Sequence, residues 1–270
     1  MRKAIVLIFL IVCIGGCALA DLYVHFLDVG QGDAAIIIAD EAVMMIDGGD
    51  AKHSSLIYTY LRDTLKIDNI DVMIATHPHA DHAGGLSAAL NACTVGVIYT
   101  PEIAYDTKTW NNVLRYAEAQ GTPVIIPMSG DEFDLGGATV EILGPVWFSN
   151  DTNNLSLVLC VTYGEMKFLF TGDAEWDEEH DLVDAGVDLR ADVLKVPHHG
   201  SNSSSSYVFL RAVNPRHAII SVGKDNTYGH PDEEGLGRQR NLGAQVYRTD
   251  EMGKIRCRTD GKRIAFRTER

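Results

Sequence analysis

Four side chains able to bind a divalent cation fall within six residues: His77, His79, Asp81 and His82, in the stretch Thr76-His77-Pro78-His79-Ala80-Asp81-His82. Imidazole nitrogen and carboxylate oxygen together suit zinc and related divalent ions. Pro78 fixes its own φ and holds His77 extended, so a stiff loop aims the imidazoles. A lone histidine is most often an ordinary core or surface residue. His-x-His-x-Asp-His behind an apolar run is much harder to obtain by chance.

Other segments supply further donors. Residues 167–173, Lys-Phe-Leu-Phe-Thr-Gly-Asp, read as a strand whose closing turn presents Asp173. A carboxylate can bridge two cations, which imidazole and amide do not do easily, so Asp173 is the expected shared ligand. A strand over 192–196 empties into Pro197-His198-His199-Gly200-Ser201. Adjacent histidines on an extended backbone point differently, so one binds metal while the other contacts substrate, and either order is open. Asn202 and the serines at 203–206 precede a helical segment. With Ser201 they form an expected phosphate cradle of hydroxyls and free N–H groups. Lys224 and Asn226, in the loop leading to Gly229-His230-Pro231, are candidates to meet a phosphate oxygen. Asp28, Gln31 and Asp33 lie in a Gly-rich turn and are candidate acceptors for orienting ligand imidazoles. Asp177, Glu178 and Glu179 read as a solvated helix face, and Trp110 and Trp147 as packing residues.

The elements that must position these groups alternate. Strands are expected over 22–27, 34–39, 43–46, 70–75, 95–99, 124–126, 138–143, 155–161, 167–170, 192–196 and 217–222, with closing strands between 245 and 266. Helical spacing appears over 54–65, after the histidine loop, over 110–119 and over 207–213. Gly136-Gly137 reads as the turn joining 124–126 to 138–143.

The histidine loop resembles the main motif of the metallo-β-lactamase superfamily. Phe26-Leu27-Asp28-Val29-Gly30-Gln31-Gly32-Asp33-Ala34, Leu194-Lys195-Val196-Pro197-His198-His199-Gly200-Ser201 and Tyr228-Gly229-His230-Pro231 narrow the likeness to the hydrolase domain of the DNA-uptake competence protein ComEC and its soluble relatives. The resemblance covers about residues 22–270. It implies an α/β (α+β) four-layer αββα sandwich with metals along one edge. It gives Asp47 a supporting role behind the metal loop and makes His230 the last metal-ligand position. Many superfamily members carry a metal-binding His where this chain has Asn153 or Asn154, and the ComEC subgroup shares that departure.

The mechanism expected is hydrolysis. His77, His79 and Asp173 would hold one ion; Asp81, His82, Asp173 and either His199 or His230 would hold the second. Asp81 would orient the attacking water, and His198, His230 or water would protonate the leaving group. Zinc is favoured on ligand type, with manganese or iron as alternatives. The resemblance implies a phosphodiester substrate, with DNA as the candidate. The alternatives are an envelope phosphoesterase on a small diester such as a phosphorylcholine ester, and a noncatalytic exported binding domain.

The 270 residues are 46% hydrophobic, enough for one large domain at 21–270. A net charge of −14 opposes broad nucleic-acid binding through basic surface. It leaves room for a local phosphate site centred on metal. Residues 1–20 read as an export leader. Arg2-Lys3 precedes an apolar run over 4–14, with Ala18-Leu19-Ala20 as one cleavage site. Ile14-Gly15-Gly16-Cys17 resembles a lipobox that would leave a lipid anchor on Cys17. The chain is thus expected to be exported, secreted or membrane-anchored. No later segment is apolar enough to span a membrane, so the channel accompanying this domain in ComEC is not expected here. Cys93, Cys160 and Cys257 form no disulfide framework.

Overall fold

A computed structural model describes residues 21–270. The leader, Cys17 and both expected cleavage sites lie outside the described residues. Strands β1 (Leu22–Phe26), β2 (Ala35–Ala39), β3 (Ala42–Ile46), β4 (Asn69–Ile74), β5 (Thr94–Tyr99) and β6 (Val124–Ile125) come first. Then follow β7 (Glu132–Leu135), β8 (Ala138–Gly144), β9 (Val158–Tyr163), β10 (Met166–Phe170), β11 (Val193–Lys195), β12 (His217–Ile220) and β13 (Gln245–Arg248). The chain returns as β14 (Ile255–Thr259) and β15 (Ile264–Thr268). They form an eight-stranded sheet ordered β15-β14-β1-β2-β3-β4-β5-β6 and a seven-stranded sheet ordered β13-β12-β11-β10-β9-β8-β7.

Three apolar layers hold the sheets and helices together. Alternation along each strand sends one set of side chains between the sheets: Val24 and Phe26 from β1, Met44 and Ile46 from β3, Phe168 and Phe170 from β10. The opposite faces are also apolar. Ile36, Met45 and Met73 meet α1 (Ser54–Thr59), α3 (Leu86–Ala92) and α4 (Lys108–Gln120). Leu169, Leu194 and Ala218 meet α5 (Trp176–Asp184), α6 (Tyr207–Val213) and α7 (Glu233–Asn241). The short α2 (Ala80–Ala83) precedes α3, and α8 (Thr249–Met252) follows β13. Both sheets are therefore apolar on two faces, which is why several strands read as continuous hydrophobic runs. The result is the expected αββα sandwich.

Several local expectations are corrected. The strand at 124–125 pairs with β5 in the first sheet, so Gly136-Gly137 instead joins β8 to β7. The expected helix after the histidine loop is two short helices, α2 and α3, separated by Gly84-Gly85. Trp110 is buried, but Trp147 is 66% exposed and packs in no core. Glu178 and Glu179 are buried; of that trio only Asp177 faces solvent. Cys93, Cys160 and Cys257 are buried free thiols. Among the described residues no helix is long and apolar enough to cross a membrane.

Candidate metal centre

In each sheet a set of neighbouring strands runs parallel, β3 to β6 and β10 to β13, and the candidate ligands follow their C-terminal ends. The loop after β4 carries His77 and His79, and α2 carries Asp81 and His82. The turn after β10 carries Asp173, and the segment after β11 carries His198 and His199. The loops interlock through main chain: Leu157 N donates to Thr76 O at 2.9 Å, and His198 N to Gly172 O at 3.2 Å. Gly32 lets the β1–β2 loop abut the ligand loop. A Cβ there would collide with the Asp81 carbonyl, which accepts from Asp33 N at 3.1 Å.

Asp173 lies at the centre, 3% exposed. Its Oδ2 is 3.7 Å from His77 Nε2 and 3.7 Å from His198 Nε2; its Oδ1 is 3.1 Å from His82 Nε2 and 3.5 Å from His199 Nε2. Each oxygen thus faces a different set of imidazoles. His77 Nε2 stands 2.9 Å from His79 Nδ1, and His82 Nε2 stands 3.3 Å from His199 Nε2. Two donor groups result, His77-His79-Asp173 and Asp33-His82-Asp173-His199, each with its ligand atoms within 4.8 Å of one another. Asp81 Oδ2 lies 3.5 Å from His199 Nε2 at the more open rim of the second group.

This donor set fits a pair of divalent cations. Nitrogens and carboxylate oxygens converge in a buried space, and Asp173 Oδ1 has no well-formed hydrogen bond there. Burial, then the nearby His82, holds the His77 imidazole well below its usual range, in the neutral form that binds metal. Burial lowers His79 likewise. In His82 burial opposes the charge, but Asp173 and Asp47 outweigh it and raise the imidazole well above its usual range. His199 behaves similarly: against burial, Asp173 and Asp33 raise it to about 10. Burial opposes the Asp173 charge too, but His82 and His199 hold it well below the usual carboxylate range. The buried Asp/His cluster is therefore suited to a dimetal site.

The supporting residues are well defined. Asp47, fully buried, accepts from Thr76 N at 2.8 Å and from Thr76 Oγ1 at 2.7 Å, and its Oδ2 lies 2.8 Å from His82 Nδ1. Asp28 does not join them. It accepts from Arg270 at 2.6 Å and from Gly30 N at 3.3 Å. Asp33 lies behind His199, its Oδ1 3.3 Å from Nδ1 on the side of the ring away from Asp173. Its other oxygen is 2.6 Å from Lys195 Nζ, a buried ion pair. The Ser221 carbonyl, 2.9 Å from Nδ1, orients His199, and Asp33 Oδ1 stands beside that contact without a hydrogen bond of its own. Burial opposes its charge, but Lys195 and His199 hold it low.

Sequence reasoning missed Lys195, Glu175 and Ser156. Lys195 offered a signal, being a charge inside an otherwise buried apolar strand. Glu175 Oε1 lies 2.8 Å from His198 Nδ1 and accepts from Ser203 Oγ at 2.8 Å. Ser156 Oγ accepts from Asp173 N at 3.1 Å. Neither position carried a pattern in sequence.

A cavity of about 370 Å³ opens onto the cluster, lined in part by Gln31, Asn153, His198, Tyr228 and His230. His199 joins the inner group and His230 does not. The His230 ring centroid is 6.5 Å from that of His199 and 5.5 Å from that of His198, with Tyr228 stacked on it. Asn154 Oδ1 accepts from Glu175 N at 2.9 Å and from Glu178 N at 3.3 Å, whereas Asn153 lines the cavity with a buried, unpartnered Oδ1.

The expected phosphate cradle is already filled. The Glu179 carboxylate accepts from Ser205 N and Ser206 N, Ser206 Oγ caps Phe209 N, and Ser201 Oγ lies 2.9 Å from Ser203 Oγ. Asn202 faces a neighbouring cavity. Asn226 is likewise spent: its amide donates to Gly223 O and His230 O, and its oxygen accepts from Tyr228 N and His230 N. It shapes the His230 loop. Lys224 is exposed and lies outside the cavity lining.

Residues 27–224 match the family described as the metallo-beta-lactamase superfamily. The chain belongs to that superfamily. It is 30% identical over 262 residues to ComE operon protein 3 of Bacillus subtilis, covering 90% of this chain and 34% of that protein. It is 31% identical over 230 residues to competence protein ComA of Neisseria gonorrhoeae, covering 84% of this chain and 31% of that one. The chain thus spans about a third of the length of these relatives. Among solved structures, the metallo-beta-lactamase fold protein YhfI of Bacillus subtilis superposes with a TM-score of 0.58 at 12% identity, covering 92% of this chain and all of that one. CmlA, a diiron beta-hydroxylase of Streptomyces venezuelae, reaches 0.55 at 14% identity, covering 84% of this chain and 52% of that one. The fold alone does not fix the chemistry, which has to be read from the site.

Proposed function

We propose that this protein is an exported metal-dependent hydrolase of phosphodiesters, with DNA as the candidate polymer. The observation that carries the reading is the two-sided placement of Asp173, one oxygen toward His77 and the other toward His82 and His199. His77, His79 and Asp173 would hold one divalent ion; His82, Asp173 and His199, with Asp81 at the rim, would hold the second. Zinc suits the ligands, and manganese or iron are alternatives. Such a pair supplies, when bound, Lewis acidity and a lowered pKa for coordinated water.

The chain's own groups divide the remaining work. Asp47 fixes His82 from behind, and the Ser221 carbonyl fixes His199 with Asp33 alongside. Asp81, with a side chain 29% exposed, is the carboxylate able to orient an attacking water. His198 is the proton donor to the leaving oxygen. Glu175 Oε1 lies 2.8 Å from its Nδ1 on one side of the ring, and Nε2 faces the cavity side of Asp173.

A second reading, a small diester such as a phosphorylcholine ester, has one observation in its favour. The neighbouring cavity, joined to the site through Glu175, is lined by Asp151, Asp177 and Glu234 and would repel a long polyanion.

The test is a metal-supplemented panel of single-stranded DNA, bis-para-nitrophenyl phosphate, a choline phosphodiester and a β-lactam. Diester hydrolysis that disappears in Asp173→Ala supports the reading. Undiminished turnover in that variant, or activity confined to the β-lactam, overturns it. Cleavage of the choline ester without DNA selects the second reading.

A further inference from the structure

Charge is unevenly spread along the chain. Residues 254–270 hold seven of the 23 Lys and Arg but two of the 37 acidic residues. Strand alternation on β14 and β15 puts Arg256, Arg258 and Arg267 on the outer face of the eight-stranded sheet, while Ile255 and Cys257 enter the core. The apolar layer beneath α1, α3 and α4 takes no residue from β14 or β15, so this end of the sheet is left open.

Arg256 and Arg267 stand directly opposite each other across the β14–β15 pair, and His25 of β1 stands opposite Arg256 on the other side. Like charges directly opposed across a sheet are destabilising. Among the described residues neither arginine has an ion pair or hydrogen bond to offset this. His25 does not relieve it, being buried against the Tyr60 hydroxyl, 2.7 Å away. A cavity of about 530 Å³ opens on this face, lined by apolar Ile38, Leu65 and Ala265 as well as the three arginines. It shares no lining residue with the metal cavity.

We propose that this face rests on the anionic headgroups of a phospholipid surface. Arg256 and Arg267, unpaired beside an apolar patch, suit the headgroup–acyl boundary, where guanidinium groups meet phosphate and aliphatic surface enters the interface. A nucleic-acid backbone would use the arginines but not the apolar lining. Asp21, which follows the expected leader, is ion-paired with Arg258 at 2.5 Å, so a lipid anchor on Cys17 would join the fold beside this face.

The experiment compares the full-length chain with its Arg256→Glu/Arg267→Glu variant and a charge-matched Lys108→Glu/Arg211→Glu control. Each is co-sedimented with phosphatidylcholine vesicles containing or lacking phosphatidylglycerol. Binding to pure phosphatidylcholine reports any contribution of residues 1–20 and is the same in all three. Phosphatidylglycerol raises the parent's partition by on the order of tenfold or more, since each basic residue near an anionic surface adds several-fold. That gain disappears in the Arg256/Arg267 variant and in about 0.5 M salt, and survives in the control. Far-ultraviolet circular dichroism and unchanged diester hydrolysis establish that the variant is folded. Equal partition of parent and variant, or a variant that loses single-stranded DNA binding while keeping vesicle binding, overturns the proposal.

Discussion

At the scale of single residues, two aspartates that look alike in sequence separate cleanly. Asp47 and Asp28 each end a strand before a glycine-containing turn, but only Asp47 reaches a ligand imidazole. Asp47→Asn is expected to weaken metal binding by about 10–100-fold, the usual effect of losing a group that orients a ligating histidine. Asp28→Asn should leave it unchanged. Chelator competition on the two variants measures the difference, and equal losses would remove the assignment. Glu178 gives a prediction of the opposite kind. Burial pushes its carboxyl up to about 8, and one oxygen accepts from Val146 N at 3.1 Å. A carboxyl that binds its proton more tightly folded than unfolded loses stability as pH rises from about 4.5 to about 8. Glu178→Gln keeps the acceptor without the charge. Its stability advantage over the parent should grow across that window and level off above it, reaching a few kcal/mol at most. Denaturant melts at several pH values test the sign; an advantage independent of pH would refute it.

At the scale of elements, the segment Pro197–Gly200 shows both what the sequence discloses and what it conceals. The donor types and the strand before them were legible, because β11 is apolar and ends at a proline. The conformation was not. His198, His199 and Gly200 all have positive φ, at 48°, 53° and 81°. Two successive non-glycine residues in that region are strained, and packing against distant loops holds them there. This turn sends His199 inward and leaves His198 beside Glu175, a choice that an extended backbone would leave open. The serine run misled for a similar reason. Its hydroxyl and N–H pattern is that of an anion site, but the carboxyl of Glu179, distant in sequence, takes up the N–H groups. Strand order and the β7 hairpin were hidden because pairing partners are set by tertiary contact rather than local pattern. Gly200→Ala should be destabilising by about 1–3 kcal/mol, since its Cβ would also come within 2.7 Å of Pro231 Cβ. On β15, Arg267→Ala should raise stability by about 0.2–1 kcal/mol by relieving its opposition to Arg256. Thermal melts distinguish these opposite signs.

At the scale of the whole molecule, the metal centre is where the two sheets are joined by polar groups rather than by apolar packing. His77, His79 and His82 belong to the first sheet's loops, and Asp173 and His199 to the second sheet's. Without cations the cluster relies on charged imidazoles between carboxylates, as the raised His82 and His199 show. Cations bound only by the folded arrangement would stabilise it by mass action, about 2.7 kcal/mol per site at a hundredfold excess over the dissociation constant. For a domain of this size each kcal/mol moves the melting temperature by roughly 2–4 °C. Metal saturation should therefore raise the melting temperature by on the order of 10 °C over the chelated protein. Calorimetry with and without chelator measures it. Asp173→Ala should lose most of the shift, because that one carboxylate serves both donor groups, whereas His79→Ala should retain the part due to the second group. A chelator-independent melting temperature in the parent, or equal shifts in all three proteins, would mean that the sheets are not bridged by cations at this edge.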